Sequence, residues 1–214
     1  MRLGLKKSVK YIHSILRTEI AVVGRENVVL WGLSQGCATT LTSVLLWDEE
    51  PFAAAVGMCG YLPFGNIIEE IASSTLNSTG SGTFSLFEET EDDDPFAHSD
   101  DDNDNGSDLF DRLENGNTKN KVSRVILESI DFLREEIELE SEGEIDLAFQ
   151  KIPIFLGHGI EDEKVSIEQG REAFNALSLL KATVQMVEYP GLGHWYSEEM
   201  LVDIFEFLKE KLRL

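Results

Sequence analysis

The sequence VVLWGLSQGCATTL, residues 28–41, is the stretch that decides the fold of this chain. It opens with four consecutive apolar residues, which is typical of a parallel strand covered on both faces. The pentapeptide GLSQG, residues 32–36, comes next, and apolar residues then recur at the spacing of one helix face. The stretch therefore predicts a strand near 27–32, a tight turn and a helix near 36–47.

Ser34 lies at the tip of this predicted turn. A strand that turns directly into a helix brings two backbone segments together, and we expect the missing side chains of Gly32 and Gly36 to leave room for it. Ser34 would then adopt a strained backbone conformation with an exposed hydroxyl. The pattern G-x-S-x-G between a strand and a helix is typical of the nucleophile of α/β-hydrolases. Because such short patterns also occur by chance, the surrounding sequence has to decide.

A serine hydroxyl needs a base to remove its proton, and the chain contains four histidines. His13 falls on the first predicted helix, and His98 lies inside a strongly acidic segment. His158 follows a strand in Gly-His-Gly, where a role in the turn is the simpler explanation. His194 lies in a glycine-rich loop before the last helix, which would bring its imidazole to the carboxyl edge of the sheet, where Ser34 also points. We therefore predict that His194 is the base.

The third group of such a site is a carboxylate that orients the imidazole. In α/β-hydrolases it lies between the serine and the histidine in the chain. The segment HGIEDEKV, residues 158–165, follows a predicted strand and contains Glu161, Asp162 and Glu163. Spacing alone does not choose among these three carboxylates, and acidic residues also commonly begin a helix.

The order of the predicted elements indicates the α/β class. Strands that alternate with helices favour a mostly parallel sheet with helices on both faces. Periodicity and apolar runs predict helices near 5–20, 36–47, 122–139, 166–180 and 197–212, and strands near 27–32, 52–58, 151–159 and 182–189.

The net charge of −22 is concentrated in one part of the chain. Residues 88–114 carry 13 acidic residues and one basic residue, and residues 128–146 carry nine and one, so the remainder is nearly neutral. The segment 72–121 is too poor in aliphatic residues to offset the entropy of ordering, and we predict an acidic disordered insertion there. We predict four consecutive segments. Residues 1–71 form a first hydrolase segment that contains the turn around Ser34 (the serine turn, residues 32–36), and residues 72–121 form the insertion. Residues 122–149 form an amphipathic helix with an acidic linker, and residues 150–214 form a second hydrolase segment.

Composition also argues against several classes of function. An acidic segment repels phosphate and no basic stripe offsets it, so nucleic acid is not an expected partner. No apolar run approaches the roughly 18 residues of a membrane span. Cys37 and Cys59 each lie in an apolar segment without the spacing of a zinc site, and we expect both to be reduced core residues.

Four segments together resemble the landmarks of one family. In chain order they are GLSQG, GYLPF after the next strand, HGIEDEKV and GLGHWY. They are similar to those of the acyl-protein thioesterases and the related carboxylesterase and lysophospholipase branch of the α/β-hydrolases, over residues 5–68 and 150–212. The resemblance implies a cytoplasmic enzyme that hydrolyses carboxylic esters or acyl thioesters through an acyl-enzyme, without a cofactor or metal. S-acylated proteins, lysophospholipids and small esters are the substrates it implies.

The same resemblance assigns roles to individual residues. Ser34 would be the nucleophile, Asp162 the acid in the family's H-G-x-x-D-x-x-V pattern, and His194 the base. The backbone N–H of Gln35 falls at the oxyanion position directly after the nucleophile. Cys37 stands where family members commonly have a second glycine, which is a minor change.

One departure from the family pattern is larger. Family members carry several strands before the first helix predicted here, including a His-Gly loop that supplies the second oxyanion N–H. We therefore expect an N-terminally truncated member with weak activity and an exposed sheet edge through which it forms oligomers. The alternative is a catalytically impaired paralogue that acts as an interaction protein, with its acidic loop recruiting a basic partner.

Overall fold

The computed structural model describes residues 2–77, 108–140 and 147–212. Within these ranges, the helices are α1 (Arg2–Val23), α2 (Gln35–Leu45), α3 (Gly65–Asn77), α4 (Asp108–Glu136), α5 (Ile167–Leu179) and α6 (Glu198–Leu212). The strands are β1 (Val29–Leu33), β2 (Ala54–Met58), β3 (Ile154–Gly159) and β4 (Val184–Tyr189).

The four strands form one parallel sheet in the order β1-β2-β3-β4. Parallel neighbours need crossover connections, and each pair of consecutive strands is separated by at least one helix. The predicted α/β class and parallel sheet are confirmed. Because all strands run the same way, the loops after β1, β3 and β4 meet at one edge of the sheet, and they carry the candidate serine, acid and base.

The sheet is covered on both faces, as alternating side chains along the strands require. On one face, Met200, Ile204 and Phe207 of α6 pack with Val56 of β2 and Phe155 of β3 in a buried cluster. On the other face, α2 packs against β1 and β2, and α5 packs against β3 and β4. Helix α1 lies against α2, and α3 lies against both α4 and α5. Burial on both faces explains why the central strand β2 and the first half of β3 have continuous apolar sequences, whereas the edge strand β4 contains Gln185 and Glu188.

His13 of α1 has a structural position. It is buried, its Nε2 lies 2.8 Å from the backbone carbonyl oxygen of Ser43 in α2, and its ring meets Trp47 edge to face. Burial lowers the pKa of His13, and the hydrogen bond to Ser43 offsets this only partly. A neutral histidine thus anchors α1 to the helix that follows the serine turn.

Two boundaries differ from the sequence prediction. The segment predicted to be disordered starts at residue 72, yet α3 continues to Asn77, because Ile68 and Ala72 belong to its buried face. Helix α4 begins at Asp108 instead of residue 122. The rest of the predicted insertion, 78–107 with His98, lies outside the described residues. Helix α3 itself was not predicted. The apolar face predicted for 122–139 is buried as expected, through Val125, Ile126, Ile130, Leu133 and Ile137.

Strand β1 forms one edge of the sheet in the described part of the chain, since it pairs only with β2 there. Trp31 of β1 is 38% exposed, and its ring meets the exposed ring of Phe205 in α6 edge to face. Oligomer formation through this edge stays a prediction. None of the described helices combines the length and the apolar character needed to cross a membrane.

Candidate active site

Ser34 occupies the tight turn between β1 and α2. Its backbone has φ 57° and ψ −120°, a conformation that L-residues rarely adopt, and α2 begins at the next residue. The Ser34 N–H donates to the carbonyl oxygen of Met58 at 2.8 Å, which extends the pairing of β1 with β2 into the turn. The serine turn, residues 32–36, therefore has the strained strand-to-helix geometry that the sequence pattern predicted.

The two glycines of the serine turn have different reasons to be there. A Cβ added at Gly32 would lie 2.2 Å from the carbonyl oxygen of Gly36 and 2.6 Å from Oγ1 of Thr40, so a side chain does not fit. A Cβ added at Gly36 would meet no atom of the described chain within 4 Å. The steric interpretation is right for Gly32 and wrong for Gly36, because the close approach is to the backbone of residue 36 and not to its side-chain position.

Cys37 fills space that two other glycines leave open. A Cβ at Gly60 would lie 2.3 Å from the Cβ of Cys37, and a Cβ at Gly57 would lie 2.5 Å from its Sγ. Both cysteines are buried and free, as predicted. Burial raises the pKa of the Cys37 thiol to about 12, so it is a neutral core group at physiological pH.

The structure brings Ser34, His194 and Asp162 into one chain of hydrogen bonds. His194 Nε2 lies 2.9 Å from Ser34 Oγ, and His194 Nδ1 lies 2.8 Å from Asp162 Oδ2. The Asp162 side chain is 0% exposed and that of His194 is 15% exposed. An ionised carboxylate only accepts, so Nδ1 of a neutral His194 carries the proton and Nε2 is left to accept from the serine hydroxyl.

Asp162 is held as a carboxylate by the loop in which it lies. Its Oδ1 accepts the backbone N–H groups of Lys164 at 2.9 Å and Val165 at 3.0 Å, while Oδ2 faces His194. Burial by itself raises the pKa of Asp162, but the hydrogen bonds from Val165, His194 and Lys164 outweigh it, and the net pKa is lowered. The carboxylate is therefore charged at neutral pH and correctly placed to orient an imidazole.

His158 lies behind Asp162 and supports the same loop. It is buried, its Nε2 donates to the carbonyl oxygen of Val165 at 2.9 Å, and the same nitrogen is 3.4 Å from Asp162 Oδ2. A Cβ at Gly170 of α5 would lie 2.5 Å from His158 Nδ1, which explains a glycine inside that helix. The turn role expected for His158 thus includes contact with Asp162.

Two contacts of the loop that carries His194 had no signal in the sequence. The Sγ of Cys59, at the end of β2, donates to the carbonyl oxygen of Trp195 at 3.1 Å. Glu161 Oε2 accepts the backbone N–H of Gly191 at 2.6 Å. Cys59 has a φ of 46° and its pKa is raised by burial, so its thiol stays protonated and able to donate. Only the tertiary structure brings these distant residues together.

Gln35 is the candidate donor to an oxyanion. It is the first residue of α2, so its backbone N–H has no acceptor within the helix and lies at the positive end of the helix dipole. A cavity of about 260 Å³ opens beside it, with Leu5, Ala38, Tyr61 and Pro63 in its walls. The described residues contain no cluster of three or more His, Cys, Asp or Glu side chains that could hold a metal ion.

Comparison with solved structures shows the fold. The crystal structure of SOBER1 from Arabidopsis thaliana has a TM-score of 0.58 at 24% identity, and the match covers 97% of this chain and 64% of the SOBER1 chain. The structure of acyl-protein thioesterase 2 from Zea mays has a TM-score of 0.55 at 19% identity, and the match covers 99% of this chain and 66% of the thioesterase chain. The chain has an α/β-hydrolase fold.

Comparison of sequences bears on the family. Residues 117–212 match the family model described as phospholipase/carboxylesterase. The chain is 28% identical to a probable carboxylesterase SOBER1-like protein of Arabidopsis thaliana over 98% of its own length and 52% of that protein. It is 26% identical to the carboxylesterase SOBER1 over 97% of its own length and 59% of that protein. The resemblance to carboxylesterases and acyl-protein thioesterases is confirmed, and this chain spans little more than half the length of these curated relatives.

Proposed function

We propose that this chain is a serine hydrolase of carboxylic esters or acyl thioesters that uses Ser34 as nucleophile, His194 as base and Asp162 as the orienting acid. The observation that carries the proposal is the continuous hydrogen-bond chain from Ser34 Oγ to His194 Nε2 and from His194 Nδ1 to Asp162 Oδ2, at 2.9 Å and 2.8 Å. This arrangement is the one that makes a weak serine nucleophile reactive at neutral pH.

In the acylation step, Ser34 Oγ attacks the carbonyl carbon of the substrate while its proton moves to His194 Nε2. The Asp162 carboxylate stabilises the imidazolium that forms. Negative charge develops on the carbonyl oxygen, and the backbone N–H of Gln35, the first residue of α2, is the donor that we propose for it. The tetrahedral intermediate then collapses, and the alcohol or thiol leaves with the proton from His194.

The acyl-enzyme is hydrolysed by the same groups in reverse. A water molecule gives a proton to His194 Nε2 and attacks the ester carbon on Ser34. The second tetrahedral intermediate then collapses: the bond from the carbonyl carbon to Ser34 Oγ breaks, the His194 imidazolium gives its proton to Ser34 Oγ, and the carboxylic acid leaves. The two half-reactions together consume one water, release one acid and one alcohol or thiol, and need no cofactor.

The substrate class is supported by the relatives. Similar proteins are named as carboxylesterases, and one similar structure is an acyl-protein thioesterase. The cavity beside Gln35 combines apolar walls from Leu5, Ala38 and Pro63 with the polar side chains of Ser8, Thr39 and Tyr61, so the relatives and not the cavity support the choice of substrate. We therefore propose lysophospholipids, S-acylated proteins and small esters as the substrates to test.

The experiment is hydrolysis of p-nitrophenyl butyrate and of a butyryl thioester by the purified chain. Ser34→Ala should reduce kcat/KM by about 10⁴-fold or more, and Asp162→Asn should reduce it by about 10⁴-fold. Ser14→Ala removes an exposed hydroxyl from α1 and serves as the matched control, with activity unchanged. Retention of most of the turnover by Ser34→Ala, with its fold intact by circular dichroism, contradicts the proposal.

A further inference from the structure

We infer that Glu161 is a positioning residue that fixes the histidine loop, residues 190–196, against the acid loop, residues 160–165, so that His194 is held at Ser34. The inference rests on the proposed function, because it assigns to Glu161 the placement of the catalytic base. Three adjacent carboxylates follow β3, and spacing does not distinguish them, whereas their contacts do.

Glu161 contacts the histidine loop at two points. Its side-chain Oε2 accepts the backbone N–H of Gly191 at 2.6 Å, and its own backbone N–H donates to the carbonyl oxygen of Leu192 at 3.1 Å. One residue of the acid loop thus bonds the Gly191 N–H and the Leu192 carbonyl, the two backbone groups on either side of the Gly191–Leu192 peptide group. The next residue, Asp162, bonds the imidazole of His194. Neighbouring carboxylates therefore place the backbone and the ring of the same histidine loop.

The histidine loop needs such a restraint because of its own sequence. Gly191 has a φ of 74°, and a Cβ at this position would meet nothing within 4 Å, so the glycine serves the backbone conformation and not close packing. A loop that contains Gly191 and Gly193 has many accessible conformations when nothing fixes its peptides. The short bond from the Gly191 N–H to the Glu161 carboxylate selects one of them.

The contact is at the surface, which separates its effect on catalysis from its effect on folding. Glu161 and Gly191 are both exposed, and exposed contacts contribute little to the free energy of unfolding. Catalysis depends more steeply on geometry, since a displacement of about 1 Å of a reacting group can cost about 10²-fold in rate. Loss of the Glu161 side chain should consequently lower kcat without unfolding the chain.

The kinetic test compares three variants of the full chain on p-nitrophenyl butyrate. Glu161→Ala removes the acceptor and should lower kcat about 10-fold, with KM changed less than about twofold and the melting temperature within about 2 °C of the parent. Glu161→Gln keeps an acceptor oxygen at the same reach and should recover most of kcat. Glu163→Ala removes the same charge from an exposed position of the acid loop, and its kcat and KM should equal those of the parent.

Hydrogen exchange tests the same contact without relying on hydrolysis. In Glu161→Ala the amide of Gly191 should exchange about 10-fold faster than in the parent, and Glu163→Ala should leave it unchanged. If the parent proves inactive, the proposed function fails, but the exchange rates still decide whether Glu161 holds the loop. Equal kcat in Glu161→Ala and the parent, or a kcat of Glu161→Gln as low as that of Glu161→Ala, would overturn the inference and leave the proposed function standing.

Discussion

The serine turn and the histidine loop supply the two ends of one 2.9 Å hydrogen bond, yet they are held by different kinds of interaction. The serine turn is fixed by its own backbone: the carbonyl of Gly36 leaves no room for a Cβ at Gly32, and the largely buried helix α2 follows directly. The histidine loop is exposed along much of its length and is fixed by side chains from other segments, namely Glu161 and Cys59. One half of the site is therefore built by local sterics and the other half by long-range contacts.

The largest expected effect comes from breaking the serine turn itself. Gly32→Ala would place a Cβ 2.2 Å from the carbonyl oxygen of Gly36, and the backbone would have to move to accommodate it. We expect a loss of about 3 kcal/mol or more in the free energy of unfolding and near-complete loss of esterase activity. Thermal unfolding and turnover of the purified variant measure both.

Gly36→Ala is the control for that variant. Its added Cβ meets no atom of the described chain within 4 Å, and alanine favours the helix in which residue 36 lies. The melting temperature should stay equal to that of the parent or rise. If Gly36→Ala destabilises the chain as much as Gly32→Ala, the steric account of the turn is wrong.

A smaller effect is expected at the contact between Cys59 and the histidine loop. Cys59→Ala removes the thiol that donates to the carbonyl oxygen of Trp195 at 3.1 Å and should lower kcat about threefold to tenfold. Cys59→Ser keeps a donor of similar size and should retain most of kcat. Steady-state kinetics on one small ester distinguish the two, and equal losses in both variants would show that packing and not the hydrogen bond matters.

The smallest effect concerns how α2 is anchored behind the serine turn. Burial lowers the pKa of His13 in the folded chain, against the opposing influence of the Ser43 carbonyl and Asp48, with Arg17 and Glu49 nearby. His13 therefore takes up a proton more readily in the unfolded chain, where its pKa is about 6.5, than in the folded chain. The free energy of unfolding falls as the pH drops below about 6.5, and it stops falling once the pH is below the lower pKa of the folded chain. His13→Gln removes this titration.

The measurement for His13 is the melting temperature at pH 7.5 and pH 5.5. From pH 7.5 to pH 5.5 the melting temperature of the parent should fall by a few degrees more than that of His13→Gln, because every other titrating group is common to both proteins. An equal loss in the two proteins would mean that protonation of His13 does not oppose folding.

Sequence reasoning reached the serine turn because its signal is local. A strand, the pentapeptide GLSQG and a helix specify the position of Ser34 without reference to the rest of the chain, and the loop after the last strand gives His194. Spacing alone did not choose among Glu161, Asp162 and Glu163. Only the resemblance to the family pattern selected Asp162 as the acid. Their roles depend on which loop each side chain reaches in the folded chain.

The remaining gaps have the same origin. Cys59 meets Trp195 across 136 positions in the chain, and no periodicity encodes such a contact. No helix was predicted between residues 47 and 122, although Ile68 and Ala72 of α3 are part of a buried helix face. Tertiary packing, which short-range patterns do not contain, decides both.

The central claim is that Ser34 is the nucleophile, and covalent labelling tests it most directly. The chain is incubated with a fluorophosphonate, which forms a bond to an activated serine oxygen and releases fluoride, and the adduct is located by peptide mass spectrometry. The account predicts one adduct, on Ser34, that is absent in Ser34→Ala and forms much more slowly in Asp162→Asn, because the His194 base is then misoriented. An adduct on a different residue, or ester hydrolysis by a chain whose Ser34 stays unmodified, would contradict it.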